Sequence, residues 1–272
     1  MISWTRYVGY VEKSIRQKKF FKEISSTHLN YLRNHSTTRK MNGSSHIHEI
    51  LDFVNKKTHC DAVFNCAIYS ITNKAIKDLE EHAAKESENI DDSEKRRFYL
   101  EMAKQYNAGR AFFTLDTKEV FYVTDIDDRE GLKDKQRKPS RFSNSEWRKI
   151  HIRSTIVHEL FHFYIDYTTN SRNELQHERY AYTGMIDWCR EKENLKDEEI
   201  ANYIISTYGQ RIAFSEKPGL DPKNKKDREY LERRGYEEGM KLIKERDALS
   251  SSYENELNED HEETEIFDIF DI

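Results

Sequence analysis

Residues 154–167, STIVHELFHFYIDY, limit what this chain can become more than any other stretch of it. Ile156, Val157, Leu160, Phe161, Phe163 and Ile165 suit the buried face of a helix, yet His158, Glu159, His162 and Asp166 are interleaved with them. At about 100° per residue, His158, His162, Thr155, Asp166 and Glu159 fall within about 100° of one another, on one stripe. Ile156, Phe163, Leu160, Tyr164, Val157 and Phe161 fill the opposite arc, which can pack into a core. A solvated face would carry lysines and glutamates. This one carries imidazoles and carboxylates, groups that bind ions and move protons.

His158-Glu159-Leu160-Phe161-His162 is an HExxH sequence. The i, i+4 spacing sets two imidazoles one turn apart, where both can reach one zinc ion at about 2.0–2.1 Å. Glu159, beside the first imidazole, is the candidate general base. A catalytic zinc needs three protein ligands. Asp166, one turn beyond His162, is one candidate for the third; otherwise it can accept a hydrogen bond from a ligand imidazole. His151, on the same stripe, is a candidate for lining the cleft.

The rest of the composition restricts the setting. With 272 residues, only three prolines and nine glycines, the chain can bury a sizeable core and favours helix. Cys60, Cys66 and Cys189 are odd in number and not closely paired, which predicts free thiols in a reducing compartment rather than a disulfide framework. No apolar run approaches the roughly 20 residues of a membrane span, and the first residues lack the apolar segment of a cleaved signal. Residues 254–272 hold nine acidic residues and no Lys or Arg, so the remainder is slightly basic. It shows no basic stripe interleaved with aromatics, and nucleic acid is not an expected partner.

Apolar spacing predicts helices over 2–24 and 46–57, with a loop at 36–45; 60–70 reads as either strand or buried helix. Two helices are expected between 72 and 107, with a break near Asp91-Asp92-Ser93. A hairpin follows at Ala111–Leu115 and Val120–Thr124, then a charged loop at 125–144. Helices are expected at 145–168, capped by Ser143 or Ser145, and at 173–191, 196–212 and 223–249. The fold class is α+β, mainly α. Residues 1–108 form a helical part packed on a core at 109–250, and 251–272 a disordered acidic tail.

The HELFH helix, the hairpin before it and the ligand-rich helix after it, over 110–190, resemble the zincin metalloprotease superfamily. The metzincin form needs Gly at 165 and His at 168, where this chain has Ile165 and Thr168, and is excluded. The gluzincin arrangement takes its third ligand from a glutamate on the following helix. Glu178 matches it, within His177-Glu178-Arg179-Tyr180-Ala181-Tyr182-Thr183-Gly184, with Glu174 and Asp166 as alternatives. The resemblance implies a zinc endopeptidase built on a zincin-like core with a small antiparallel β element. Tyr182 is taken as the donor to the developing oxyanion, from among Tyr182, Tyr180, Arg179 and His177. Val120–Thr124 is taken as the exposed edge that aligns an extended substrate, with the basic stretch Lys133–Arg141 setting specificity.

The chain's end is a different material. Glu262, Glu263 and Glu265, followed by Ile266-Phe267-Asp268-Ile269-Phe270-Asp271-Ile272, resemble the glutamate-rich signal of type IV secreted effectors from intracellular bacterial pathogens. NleD-like effector proteases are similar in pairing HELxH with a Glu-bearing helix and a nearby glycine, here Glu178 and Gly184. That resemblance implies a soluble protein passed by secretion machinery into a host cytoplasm, where it cuts a specific host protein. Two other readings stand beside it: an interaction protein with a structural or vestigial metal site, and a cytoplasmic protease that cleaves a repressor in its own cell.

Overall fold

The computed structural model describes residues 26–38, 45–108, 111–114, 119–124, 138–168 and 174–259. The expected helix at 2–24, most of the loop at 125–144 and the last residues of the tail lie outside them. In chain order come α1 (26–34), β1 (Thr37–Thr38), α2 (Ser45–Thr58), a 3-10 turn (Asp61–Asn65) and β2 (Ala67–Ile71). Next are α3 (Asn73–Ser87), α4 (Ser93–Ala108), β3 (Ala111–Thr114), β4 (Glu119–Val123), α5 (Asn144–Thr168) and α6 (Glu174–Glu191). An irregular helical stretch, Asp197–Glu199 continuing into a π-helix at Ile200–Ile204, leads to α7 (Ser206–Glu216) and α8 (Lys225–Glu259). The fold is α+β and mainly α. No helix among the described residues is long and apolar enough to cross a membrane.

Local chemistry sets the helix starts. Ser143 and Glu146 form a reciprocal box at the head of α5: the Ser143 N–H donates to Glu146 Oε2 at 2.8 Å and the Glu146 N–H to Ser143 Oγ at 3.2 Å. Thr72 Oγ1 accepts from the Ala75 N–H at 3.1 Å to begin α3, and Asp92 Oδ1 from the Lys95 N–H at 3.0 Å to begin α4. The expected break between those two helices therefore falls where an N-cap carboxylate is available. α2 is followed by His59 in the left-handed region (φ 50°), which ends the helix.

The β element is a mixed sheet rather than a lone hairpin. Its order is β1-β2-β4-β3, with β2 parallel to β4 and β1 and β3 antiparallel to their neighbours. β4 is therefore interior, and the expectation that Val120–Thr124 offers an exposed edge is corrected. The physical reason is legible afterwards: Val120-Phe121-Tyr122-Val123 is a continuous apolar run, the mark of a strand covered on both faces. Val120 and Tyr122 join the core formed with α2, α5 and α6, whereas Phe121 and Val123 join a second core with α1, α3 and α4. The free edge on the hairpin side, among the described residues, belongs to β3.

This sheet also crosses the expected boundary at residue 108, because β2 from the first part pairs along its length with β4 from the second. Arg33 of α1 reinforces the join, donating from Nε and Nη2 to the Glu119 carboxylate at 2.9 and 2.6 Å. Two other expectations shift. The helix expected at 196–212 is divided at Ile205, and the wider turn before it buries Ile200, Ala201 and Ile204, with Ala201 against Gly239 of α8. α8 continues to Glu259, so 254–259 are helical where disorder was expected; the glutamates and Leu257 extend an existing helix and need no new nucleation. Cys60, Cys66 and Cys189 are buried free thiols.

α5 is the pivot, packing on β3 and β4 with one side and on α6 with another. The α5–α6 crossing is close because α6 carries Ala181 and Gly184 there. A Cβ on Gly184 would stand 2.3–2.4 Å from the Phe161 ring, well inside contact distance. Beyond the crossing, Arg153 of α5 donates from Nε and Nη2 to the buried Glu193 carboxylate at 2.6 and 2.5 Å, and Trp188 Nε1 donates to the same carboxylate at 2.8 Å. Gly184→Ala is therefore expected to destabilise the protein by about 1–3 kcal/mol through overpacking. Urea denaturation checks this. Adding Phe161→Leu should recover part of the loss, and an unchanged midpoint for Gly184→Ala alone would mean that the ring yields freely.

Candidate metal centre

The stripe of polar groups on α5 faces inward. His158 and His162 are buried, and their Nε2 atoms lie 3.1 Å apart. Neutral imidazoles can approach this closely as one hydrogen bond or as two lone pairs aimed at one cation. Glu178, also buried, enters from α6, with Oε2 3.6 Å from His158 Nε2 and Oε1 3.8 Å from His162 Nε2. Three donors about 2.0–2.1 Å from a tetrahedral ion stand roughly 3.3 Å from one another. The observed spacings bracket that value, and the donor set of two imidazole nitrogens and a carboxylate suits a divalent ion. His158, His162 and Glu178 can thus hold a metal ion, with donor atoms all within 4.8 Å of one another.

The electrostatics favour the ligating protonation states. Burial, reinforced by His158, pushes the His162 pKa down to about 3, so its imidazole is neutral at neutral pH. Burial alone would raise the Glu178 carboxyl, but His158, His162 and Arg211 outweigh it and hold it below the ordinary carboxylate range. Neutral imidazole and ionised carboxylate are the forms a metal requires.

Of the expected third ligands, Glu178 is the one whose oxygens converge on the imidazoles. Asp166 is half-buried and outside the cluster, and the side chain of Glu174 lies outside the described residues. Glu159 is half-buried, next to His158 in the chain on α5. His151 packs edge-on against Trp147, with ring centroids 4.8 Å apart.

Tyr182, expected as the oxyanion donor, lies at the site against His158. Its ring packs on the His158 imidazole, with centroids 4.4 Å apart, and its hydroxyl is hydrogen-bonded to Thr207 Oγ1 at 3.2 Å. Burial pushes its pKa up to about 12, so it stays a neutral phenol. The contacts give it the work of fixing the His158 ring. Arg179 is turned away, its Nη2 donating to Glu245 Oε2 at 2.6 Å.

Sequence reasoning missed Arg211. Its Nη1 lies 2.6 Å from Glu178 Oε2. Glu178 and Tyr182 are i, i+4 on α6, Thr207 and Arg211 are i, i+4 on α7, and the two pairs meet in antiparallel order: Glu178 with Arg211, Tyr182 with Thr207. Nothing near Arg211 in sequence announces this partnership. The only available signal is a lone arginine on a helix that buries Tyr208, Gly209 and Ala213.

Compared with family models, curated proteins and solved structures, the chain matches none. The metal-binding statement therefore rests on the three converging side chains. The purified protein is expected to take up one divalent ion per chain, and His158→Ala, His162→Ala or Glu178→Ala to weaken uptake by about 10²-fold or more, against no change for Asp166→Ala. Equilibrium dialysis with elemental analysis reads this directly. Equal metal content in wild type and His158→Ala would remove the site.

Proposed function

We propose that the protein is a zinc-dependent endopeptidase with a zincin-like core. The observation that carries the reading is the convergence of His158, His162 and Glu178 from two packed helices, with Glu159 adjacent. A structural zinc site closes with four protein ligands, whereas three donors with a neighbouring carboxylate suit a site that keeps one position for a reactant. Zinc, when bound there, supplies a Lewis acid that acidifies water and polarises a carbonyl.

The chain's own residues account for the rest. His162 is held neutral by burial, and the Tyr182 ring packs against His158. Glu159 accepts a proton from the attacking water on a carboxylate oxygen and passes it to the leaving nitrogen, which splits the peptide bond without a covalent enzyme intermediate. The outer edge of β3, on a sheet packed beside α5, supports alignment of an extended substrate by main-chain hydrogen bonds. β4, being interior, has no such part.

The glutamate-rich composition of 254–272 supports a narrower reading, a translocated effector acting on one host protein. Glu159→Gln is expected to retain bound zinc while peptide-bond cleavage falls by about 10²–10⁴-fold. Mass spectrometry of fragments generated in a host-cell lysate, with zinc content measured on the same preparations, provides the check. Full function in Glu159→Gln would favour an interaction protein with a structural metal instead.

A further inference from the structure

We infer that Arg211 is the resident counter-ion of the Glu178 ligand, a positioning residue that holds the carboxylate in place without metal and sets an upper limit on metal affinity. This rests on the metal-binding reading of His158, His162 and Glu178. Glu178 is buried beside the two imidazoles, so a negative charge on it needs a partner inside the protein. Arg211 Nη1, 2.6 Å from Oε2, is that partner. Removing one member of a buried pair leaves the other uncompensated and is strongly destabilising.

The arginine is placed firmly enough for the role. α7 crosses α8 at glycines: a Cβ on Gly209 would stand 2.8 Å from Arg234 O and from Gly235 Cα, and a Cβ on Gly235 would stand 2.8 Å from Ser206 O. With the backbone of α7 pinned there, Thr207 reaches Tyr182 and Arg211 reaches Glu178 from one helix face.

A cation entering among His158, His162 and Glu178 supplies the same countercharge. It does so beside a fixed positive charge, which opposes it. The metal-free protein is thereby stabilised more than the loaded one, and the difference appears as weaker binding, since any state-selective stabilisation enters the affinity by linkage. Neutralising Arg211 should destabilise the metal-free form and tighten metal binding together. A residue that merely supported the fold would weaken both, and one needed to present Glu178 to the ion would lower affinity.

The test uses the full chain, stripped by chelator and titrated with Zn2+ against a chromophoric competitor, with melting curves of stripped and zinc-saturated forms. Wild type, Arg211→Met and Arg211→Lys are compared. Arg211→Met is expected to bind Zn2+ at least about tenfold more tightly, to melt at a lower temperature when stripped, and to show a wider gap between its two melting temperatures. Arg211→Lys, which keeps the charge, should stay within about threefold of wild type. If stripped Arg211→Met does not fold, recovery on adding Zn2+ supports the inference and failure to recover overturns it. Affinity equal to or weaker than wild type in Arg211→Met overturns the counter-ion role while leaving the metal centre standing. Absence of zinc binding by the wild type removes both.

Discussion

A buried carboxylate facing two buried imidazoles is the interaction on which the arrangement of α5, α6 and α7 depends. Each group alone would be costly to withdraw from water, and they are tolerated together because each changes what the others can be. The low dielectric keeps His162 uncharged. The carboxylate keeps its charge, and Arg211 is the cation that answers it at 2.6 Å. The resulting cluster brings three buried donor atoms within 4.8 Å of one another, which distinguishes a group able to hold a metal ion from a surface salt bridge.

Precision at that point comes from packing some distance away. α5 and α6 touch through Phe161 and Gly184 at their crossing, and beyond it Arg153 of α5 and Trp188 of α6 share the carboxylate of Glu193, just past the end of α6. Two separated contacts fix both the distance and the angle between the helices, and Glu178, six residues before Gly184, is carried into place by that angle. The mixed sheet supplies the base: α5 lies on the side of β4 that presents Val120 and Tyr122, while the opposite face is covered by α1, α3 and α4. α1, β2, α3 and α4 are therefore part of the platform for the site.

The site and the fold were legible in the sequence to different degrees. His158 and His162 are set by helical periodicity, which a sequence displays directly, and the Ser143-to-Glu146 cap marks where their helix begins. Glu178 was legible only as one choice among three, because the face of α6 that meets α5 is a tertiary fact; Ala181 and Gly184, the small residues that permit close approach, are the local hint. The interior position of β4 was written in its unbroken apolar run, but the ambiguous 60–70 stretch concealed the neighbour, β2, that makes it interior. Arg211 left no trace, since its partner lies on another helix and the glycines that pin α7 act against α8. Residues that work alone on one element can be read from spacing, whereas those that work across elements need the assembled structure.

Because two donors come from α5 and one from α6, the centre is a tertiary contact and not a local loop. An ion shared by the two helices would add a third tie between them, near the start of α6 and on the other side of the crossing from the Arg153–Glu193 pair. Its binding free energy would then be partly folding free energy, by the same linkage that governs any ligand selective for the native state. A protein that relied on the ion alone to compensate Glu178 would surrender this end of α6 whenever metal was scarce. Arg211 removes that dependence by keeping the carboxylate compensated in the folded, metal-free chain, and the consequence is a site that is preorganised before any ion arrives.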